Sequence, residues 1–248
     1  MSSTCGNLPF GGPASDPVAV PEEQTQPGKK MSVADMRWPN GSTLIVGFLN
    51  GNDPWNKKVK DQVKAIAPKW SEFANIKFNF VDESSDDINI NFEPSPLTPF
   101  GTYNSYLGTD SAKFARAGKA SMNLVFQPNS ADDREFRRVI LHEFGHALGA
   151  IHEHTRPDRP IYWDVDAVVK YYTQLTRGKW DRKVIEEQVI NPFQRRLAGS
   201  SEFDPSSIMM YPFPPGLAKY EDGTSFQTDW NTELTQTDKD FIGKMYPF

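Results

Sequence analysis

Residues 142–152 read HEFGHALGAIH, which is H-E-x-x-H followed by x-x-G-x-x-H. On a helix, His142 and His146 lie one turn apart and project from the same face, so two imidazoles can grip one metal ion. Glu143 is next to His142 in sequence and can lean over the same site. A third ligand on that face would need another helical turn. Gly149 comes first, and glycine adopts the left-handed helix-ending conformation at least cost. The chain can then turn and bring His152 to the metal from another direction. Three neutral imidazoles with one open position describe a catalytic zinc site, with Zn–N distances of about 2.0–2.1 Å, whereas a structural site would be closed by a fourth protein ligand. Zinc lowers the pKa of a bound water from about 15.7 toward about 7. Glu143 is placed to take that water's proton and later deliver it to a leaving amine. The bland alternative is a helix with ordinary surface histidines. Against it, all four histidines of the chain fall between residues 142 and 154, and the glycine and third histidine follow at the spacing the chemistry needs.

This run resembles the zinc signature of the metzincin peptidases. Its extension, HEFGHALGAIHEHTRPDR at 142–159, looks like the astacin family, which follows its third histidine with Glu. Ser207-Ile208-Met209-Met210-Tyr211 is similar to the S-x-M-x-Y that astacins carry downstream. The resemblance implies that Met209 packs beneath the histidines. It implies that Tyr211 reaches the zinc as a fifth ligand and swings off to stabilise the transition state, and that Glu153 receives the N-terminus formed on activation. Ser105, Tyr106, Leu107 and Gly108 resemble the S-x-x-G segment at the family's substrate-binding edge strand. The implied fold is α+β and two-lobed, with a twisted mixed sheet and helices in the N-terminal lobe, a mostly irregular and helical C-terminal lobe, and the zinc cleft between them. The implied location is extracellular. Animal astacins usually hold this domain together with disulfides. This chain has one Cys and cannot form an internal bridge, so it looks like a microbial or fungal branch.

The composition fits such a domain. The chain has 248 residues, a net charge of −5, 38% hydrophobic and 24% charged residues, which suits a globular protein with a large core. The negative balance argues against nucleic acid or an anionic membrane surface as the main partner. No apolar run approaches the length of a membrane span, and the first residues lack the basic and apolar regions of a secretory signal. A monomer acting on polypeptide, with one Zn²⁺, is the expectation.

Residues 1–37 are rich in Pro, Gly and Ser and read as an extended arm. The arm holds Cys5, either a free thiol or a latency ligand whose thiolate would take the open zinc position. Lys29-Lys30 offers a cleavage site near residue 30, ahead of the Trp38-Pro39-Asn40-Gly41 that resembles the start of mature family members. The catalytic domain is then 38–248, with lobes of about 38–149 and 150–248.

The ligands need rigid elements behind them. Thr43–Leu49 reads as a buried strand. Asp53-Pro54 starts a helix whose apolar face is Trp55, Val59, Val63, Ile66, Trp70 and Phe73. Residues 76–80 and 88–92 alternate as half-buried strands. The Pro-rich piece 94–99 is a loop, 101–109 the edge strand and 121–126 a further strand. The zinc helix starts near 130–133, with Phe136, Val139, Ile140, Ala147 and Leu148 on its apolar side. Asp164 caps a helix carrying Val165, Val168, Val169, Tyr172 and Leu175. Val184, Ile185 and Val189 suit a second helix, Pro212, Pro214 and Pro215 form a loop wall, and the last helix starts near Thr235–Thr237. His154 reads as surface and Arg156 as a structural partner for an acidic neighbour. The function read from all this is a Glu-assisted zinc endopeptidase, latent until the arm is removed. The alternative is a non-catalytic zinc- and peptide-binding pseudo-protease, for which Glu143 would be surplus.

Overall fold

A computed structural model describes residues 36–97, 101–129, 131–176, 178–191 and 201–248. The first lobe is built on a five-stranded mixed sheet of order β2-β1-β3-β5-β4. Its strands are β1 (Thr43–Phe48), β2 (Lys77–Val81), β3 (Ile88–Asn91), β4 (Thr102–Ser105) and β5 (Met122–Val125). All neighbours run parallel except β4, which pairs antiparallel with β5 and forms one edge. Helix α1 (Pro54–Ile66) starts where expected, because the Asp53 side chain accepts from Trp55 N and Asn56 N and Pro54 needs no donor there. It buries Val59, Val63 and Ile66, then tightens into a 3-10 turn at Ala67–Glu72 that buries Trp70. Strand β3 was expected to be half-buried, but Asn89 is fully buried beside Ile88 and Ile90. The short helix α2 (Asp110–Ala115) covers that face, and Asn89 Nδ2 donates to Ala115 O at 3.1 Å while its Oδ1 accepts from Ser85 N at 2.7 Å.

The zinc helix is α3 (Asp133–Ala147), capped by Asp132, whose side chain accepts from Glu135 N. Phe136, Val139, Ile140, Leu141 and Phe144 are at most 1% exposed, and this apolar girth locks the helix against the sheet. Trp70 Nε1 also donates to Leu141 O at 3.0 Å.

The second lobe holds β6 (Ile161–Trp163), α4 (Val165–Leu175), α5 (Arg182–Ile185) running on into a wider π turn at Glu186–Ile190, β7 (Phe213–Tyr220) and β8 (Ser225–Thr228). Asp164 caps α4 as its position suggests. The strands form a second sheet of order β6-β7-β8, antiparallel throughout. The proline-rich stretch read as a loop therefore begins a strand. Its prolines are tolerated because the β7–β8 register shifts between Phe213 and Ala218, so Pro214 and Pro215 sit at an irregularity where no ladder N–H is required.

The last helix, α6 (Gln236–Met245), opens with a reciprocal Thr235–Asp238 capping box. Ile242, Met245 and Tyr246 join the first lobe's core, as do Ile208 and Met209. A division of the chain near residue 149 thus leaves out the return of the C-terminal segment to the first lobe. Trp38 and Tyr246 meet at the C-terminus of α3, where helix carbonyls lack intrahelical partners. Trp38 Nε1 donates to Ala147 O at 2.8 Å and Tyr246 OH donates to Leu148 O at 2.8 Å.

Replacing Trp38 by Phe keeps most of the apolar contact and removes the donor to Ala147 O. The unfolding free energy should fall by about 1–3 kcal/mol, the range for a buried polar group left unsatisfied, with a similar loss for Tyr246→Phe. Denaturant melts check this, and unchanged midpoints would show that these carbonyls find other donors.

Candidate metal centre

Helix α3 ends in a Schellman turn: Gly149 N donates to His146 O at 2.7 Å and Ala150 N to Gly145 O at 2.9 Å. Gly149 has φ +98°, a value that strains any other residue. The chain reverses there and brings His152 back to His142 and His146. The Nε2 atoms of His146 and His152 lie 3.1 Å apart, and those of His152 and His142 3.2 Å. Nitrogens about 2.0–2.1 Å from a tetrahedral zinc would sit about 3.3 Å from one another, so the three rings converge as a zinc ion requires. This is the one His/Cys/Asp/Glu cluster with metal-binding geometry among the described residues.

Hydrogen bonds at the far ring nitrogens fix the tautomers. His142 Nδ1 lies 2.7 Å from Ile208 O, and His146 Nδ1 2.8 Å from Ala150 O. A carbonyl only accepts, so each Nδ1 carries the proton and each Nε2 lone pair is left for a cation. All three histidines are buried, and Glu143, on α3 beside His142, is 1% exposed.

Met209 packs against α3, and the sequence of that helix makes room. A Cβ on Gly145 would come within 2.5 Å of Met209 Sδ and 3.1 Å of Trp70. The turn at 207–211 is held by Asp238, which accepts from Ser207 Oγ at 2.6 Å and Ile208 N at 2.9 Å. Burial pushes the Asp238 carboxyl up, and these donors work against that shift. The same Ile208 supplies the carbonyl that orients His142. Met209 O in turn accepts from Glu153 N at 3.0 Å.

Tyr211 is 2% exposed, with its ring centroid 4.3 Å from that of His152 and 6.1 Å from that of His142. His154, read as surface, is fully buried. Its ring lies 5.2 Å from His152, 4.6 Å from Tyr211 and 5.1 Å from Phe213. Burial holds its imidazole well below the usual range, so it packs as a neutral ring. Nothing in its local spacing signals this, because Tyr211 and Phe213 come from the 207–211 turn and β7.

Glu153 Oε1 accepts from Arg156 Nη1 at 3.0 Å and from Asp204 N at 2.9 Å. Burial pushes its carboxyl up to about 7, while the Asp204 amide and the Arg156 charge favour the ionised form. Arg156 also forks to Asp158 and donates to Ser201 and Glu202, as a structural ion pair should. Cys5 and Lys30 lie outside the described residues, and so does any N-terminus that Glu153 would receive.

The edge strand, expected over 101–109, spans Thr102–Ser105. Within 102–108, Tyr103, Ser105 and Leu107 are buried, while Asn104 and Tyr106 are half-exposed. Tyr103 OH donates to Glu135 in the first turn of α3 at 3.0 Å, and Gly108 N donates to His146 O near its end at 2.9 Å. The edge therefore runs along the zinc helix. Of the four residues singled out there, Ser105 and Tyr106 continue the edge, whereas Leu107 turns inward and Gly108 closes onto α3.

Comparison with known proteins agrees with this geometry. The matrixin family model matches residues 37–174. Astacin-like metalloprotease toxin 2 of Loxosceles intermedia is 29% identical over 145 residues, 58% of this chain and 48% of that protein. Zinc metalloproteinase nas-24 of Caenorhabditis elegans is 32% identical over 119 residues, 48% of this chain and 26% of that protein. The matched stretches thus span about half and about a quarter of these relatives. A structure of myroilysin superposes with a TM-score of 0.74 at 34% identity, covering 88% of this chain and 98% of that one. High choriolytic enzyme 1 of Oryzias latipes, at 15% identity, shares the fold with a TM-score of 0.58 over 88% of this chain and 98% of that one.

Because zinc would bind the folded triad and not the unfolded chain, chelation should lower the thermal midpoint and added zinc should restore it. At a thousandfold excess of free zinc over Kd the linkage is about 4 kcal/mol. His152→Ala should remove most of that zinc-dependent shift in a calorimetric scan. An unchanged shift would mean that the ion binds elsewhere.

Proposed function

Since the chain belongs to the matrixin family and is a metzincin-type zinc metallopeptidase related to astacin-like proteases, we propose that it is an endopeptidase that cuts extended polypeptides by Glu-assisted attack of water. The observation that carries this reading is the convergence of three histidine Nε2 atoms beside a buried Glu143 on the same helix. Metal binding needs the histidines but not that carboxylate.

His142, His146 and His152 would hold the zinc ion, which would supply a Lewis acid for acidifying water and polarising a carbonyl. Glu143 takes the proton of the attacking water on its carboxylate and passes it to the leaving amine nitrogen. Tyr211 donates its phenolic O–H to the oxygen that becomes negative in the transition state. Its ring is steadied by His152 and His154. Ser105, at the end of β4, holds the substrate main chain as an added strand, which fixes register while asking little of its sequence. The arm before Met36 acts as a latency segment in this reading. It is supported by the course of Met36, whose carbonyl accepts from Thr109 N at 2.8 Å beside the turn where Gly108 meets His146. Met36 itself therefore lies next to the substrate edge.

Cleavage of an unfolded protein by the wild type and by Glu143→Ala, at equal zinc content, tests the proposal. The variant should lose about 10²–10⁴-fold in kcat, and Tyr211→Phe about 10²–10³-fold. Trimming at Lys30 should raise the wild-type rate. Silence of the trimmed wild type would leave only a non-catalytic binder.

A further inference from the structure

Across the outer face of the first sheet runs a row of side-chain amides. Asn50 Nδ2 donates to Asn91 Oδ1 at 2.6 Å, Asn91 Nδ2 to Asn123 Oδ1 at 3.0 Å, and Asn123 Nδ2 to Asn104 Oδ1 at 2.9 Å. Such ladders propagate from strand to strand at the sheet spacing of about 4.8 Å. The direction of this one is set by the backbone. Phe92 N donates to Asn50 Oδ1 at 2.9 Å and Glu93 N to Asn91 Oδ1 at 3.2 Å. A main-chain N–H can only donate, so both oxygens are fixed and every amide nitrogen passes its proton toward β4. The row ends at Asn104, in the middle of that edge strand, half-exposed. Its Oδ1 is taken, and its Nδ2 has no hydrogen-bond partner among the described residues.

We infer that Asn104 is a specificity-determining residue: its Nδ2 donates to a side-chain oxygen of the peptide residue seated opposite it, so the edge selects Asn, Asp, Gln or Glu at one position of the bound chain. The inference rests on the reading of β4 as the substrate edge. The edge runs along α3 from Glu135 to His146, so a strand added to it passes over the histidines. Directly opposed residues of paired strands project to the same face. The peptide residue facing Asn104 therefore points outward, away from the metal, on the face where the ladder ends. The row leaves a donor, not an acceptor, at the open edge, so the favoured partner carries a carbonyl or carboxylate oxygen.

The test uses the full zinc-loaded chain carrying Glu143→Gln, and short fluorescent alanine-rich peptides in which a single Leu is replaced in turn by Asn, Asp or Lys at each position. Anisotropy reads affinity without turnover. At one position Asn and Asp should bind about 3- to 10-fold tighter than the isosteric Leu. Asn104→Leu should flatten that preference. Asn104→Asp, which keeps an acceptor for Asn123 but presents an oxygen at the edge, should turn it toward Lys. Profiles that Asn104→Leu and Asn104→Asp leave unmoved, or peptides that do not bind at all, overturn the inference. Selective binding by a chain whose wild type does not cleave would sink the peptidase reading and keep this one. Cleavage indifferent to Asn104 would do the reverse.

Discussion

The site depends on where α3 stops. Two ligands at i and i+4 come with any helix, but the third exists only because the chain reverses at Gly149, with φ +98°. The turn also orients a ligand it does not carry, since Ala150, the residue after the glycine, supplies the carbonyl that holds His146 Nδ1 at 2.8 Å. One backbone conformation thus sets the position of His152 and the tautomer of His146 together. A side chain at 149 would have to adopt a strained φ or move both. The same helix end is the negative pole of the α3 dipole, which modestly favours a cation beside it.

The other side of the triad is set from below, by parts distant in sequence. Asp238, inside the capping box of α6, holds Ser207 and Ile208, and Ile208 O orients His142. The link passes through one residue, so a shift of α6 would be felt at a ligand nitrogen. Gly145 contributes by having no side chain, which lets Met209 pack directly against α3. The Glu153–Arg156 pair then ties the loop carrying His152 to residues 201–204, just before the Met209 turn. Each histidine is therefore placed by contacts that a metal alone would not create, which is what keeps a metal site rigid before the ion arrives.

What the sequence made legible was local. The H-E-x-x-H spacing, the helix-stopping glycine, the Asp caps at 53, 132 and 164 and the alternating strands each depend on residues within a turn or two of one another. What it concealed was non-local. His154 is polar and flanked by polar residues, yet it is buried by Tyr211 and Phe213, which arrive from more than fifty positions away. Strand β7 was hidden by prolines that are harmless only because they meet a register shift. The asparagines of β3 read only as the alternating positions of a half-buried strand. That Asn91 bonds Asn123 of β5 follows only from the strand order, in which β3 and β5 are neighbours and β4 comes last.

The same non-local economy bears on how the domain holds without disulfides. A native disulfide closing a long loop contributes about 2–4 kcal/mol, mainly by restricting the unfolded chain. A buried hydrogen bond contributes about 1 kcal/mol net and restricts nothing in the unfolded state. Several must therefore act together to replace one bridge, and they are clustered here. Trp38 N donates to Tyr246 OH, Tyr246 OH to Leu148 O, Trp38 Nε1 to Ala147 O, Asn75 N to Tyr246 O and Asn40 Nδ2 to Pro247 O. They join the start of the domain, its last residues and the end of the zinc helix, with Trp38 and Tyr246 both buried. Concentrating these bonds near the C-terminus of α3 places the longest-range constraints among the described residues beside the turn that delivers His152, so closure of the domain and the position of His152 are coupled.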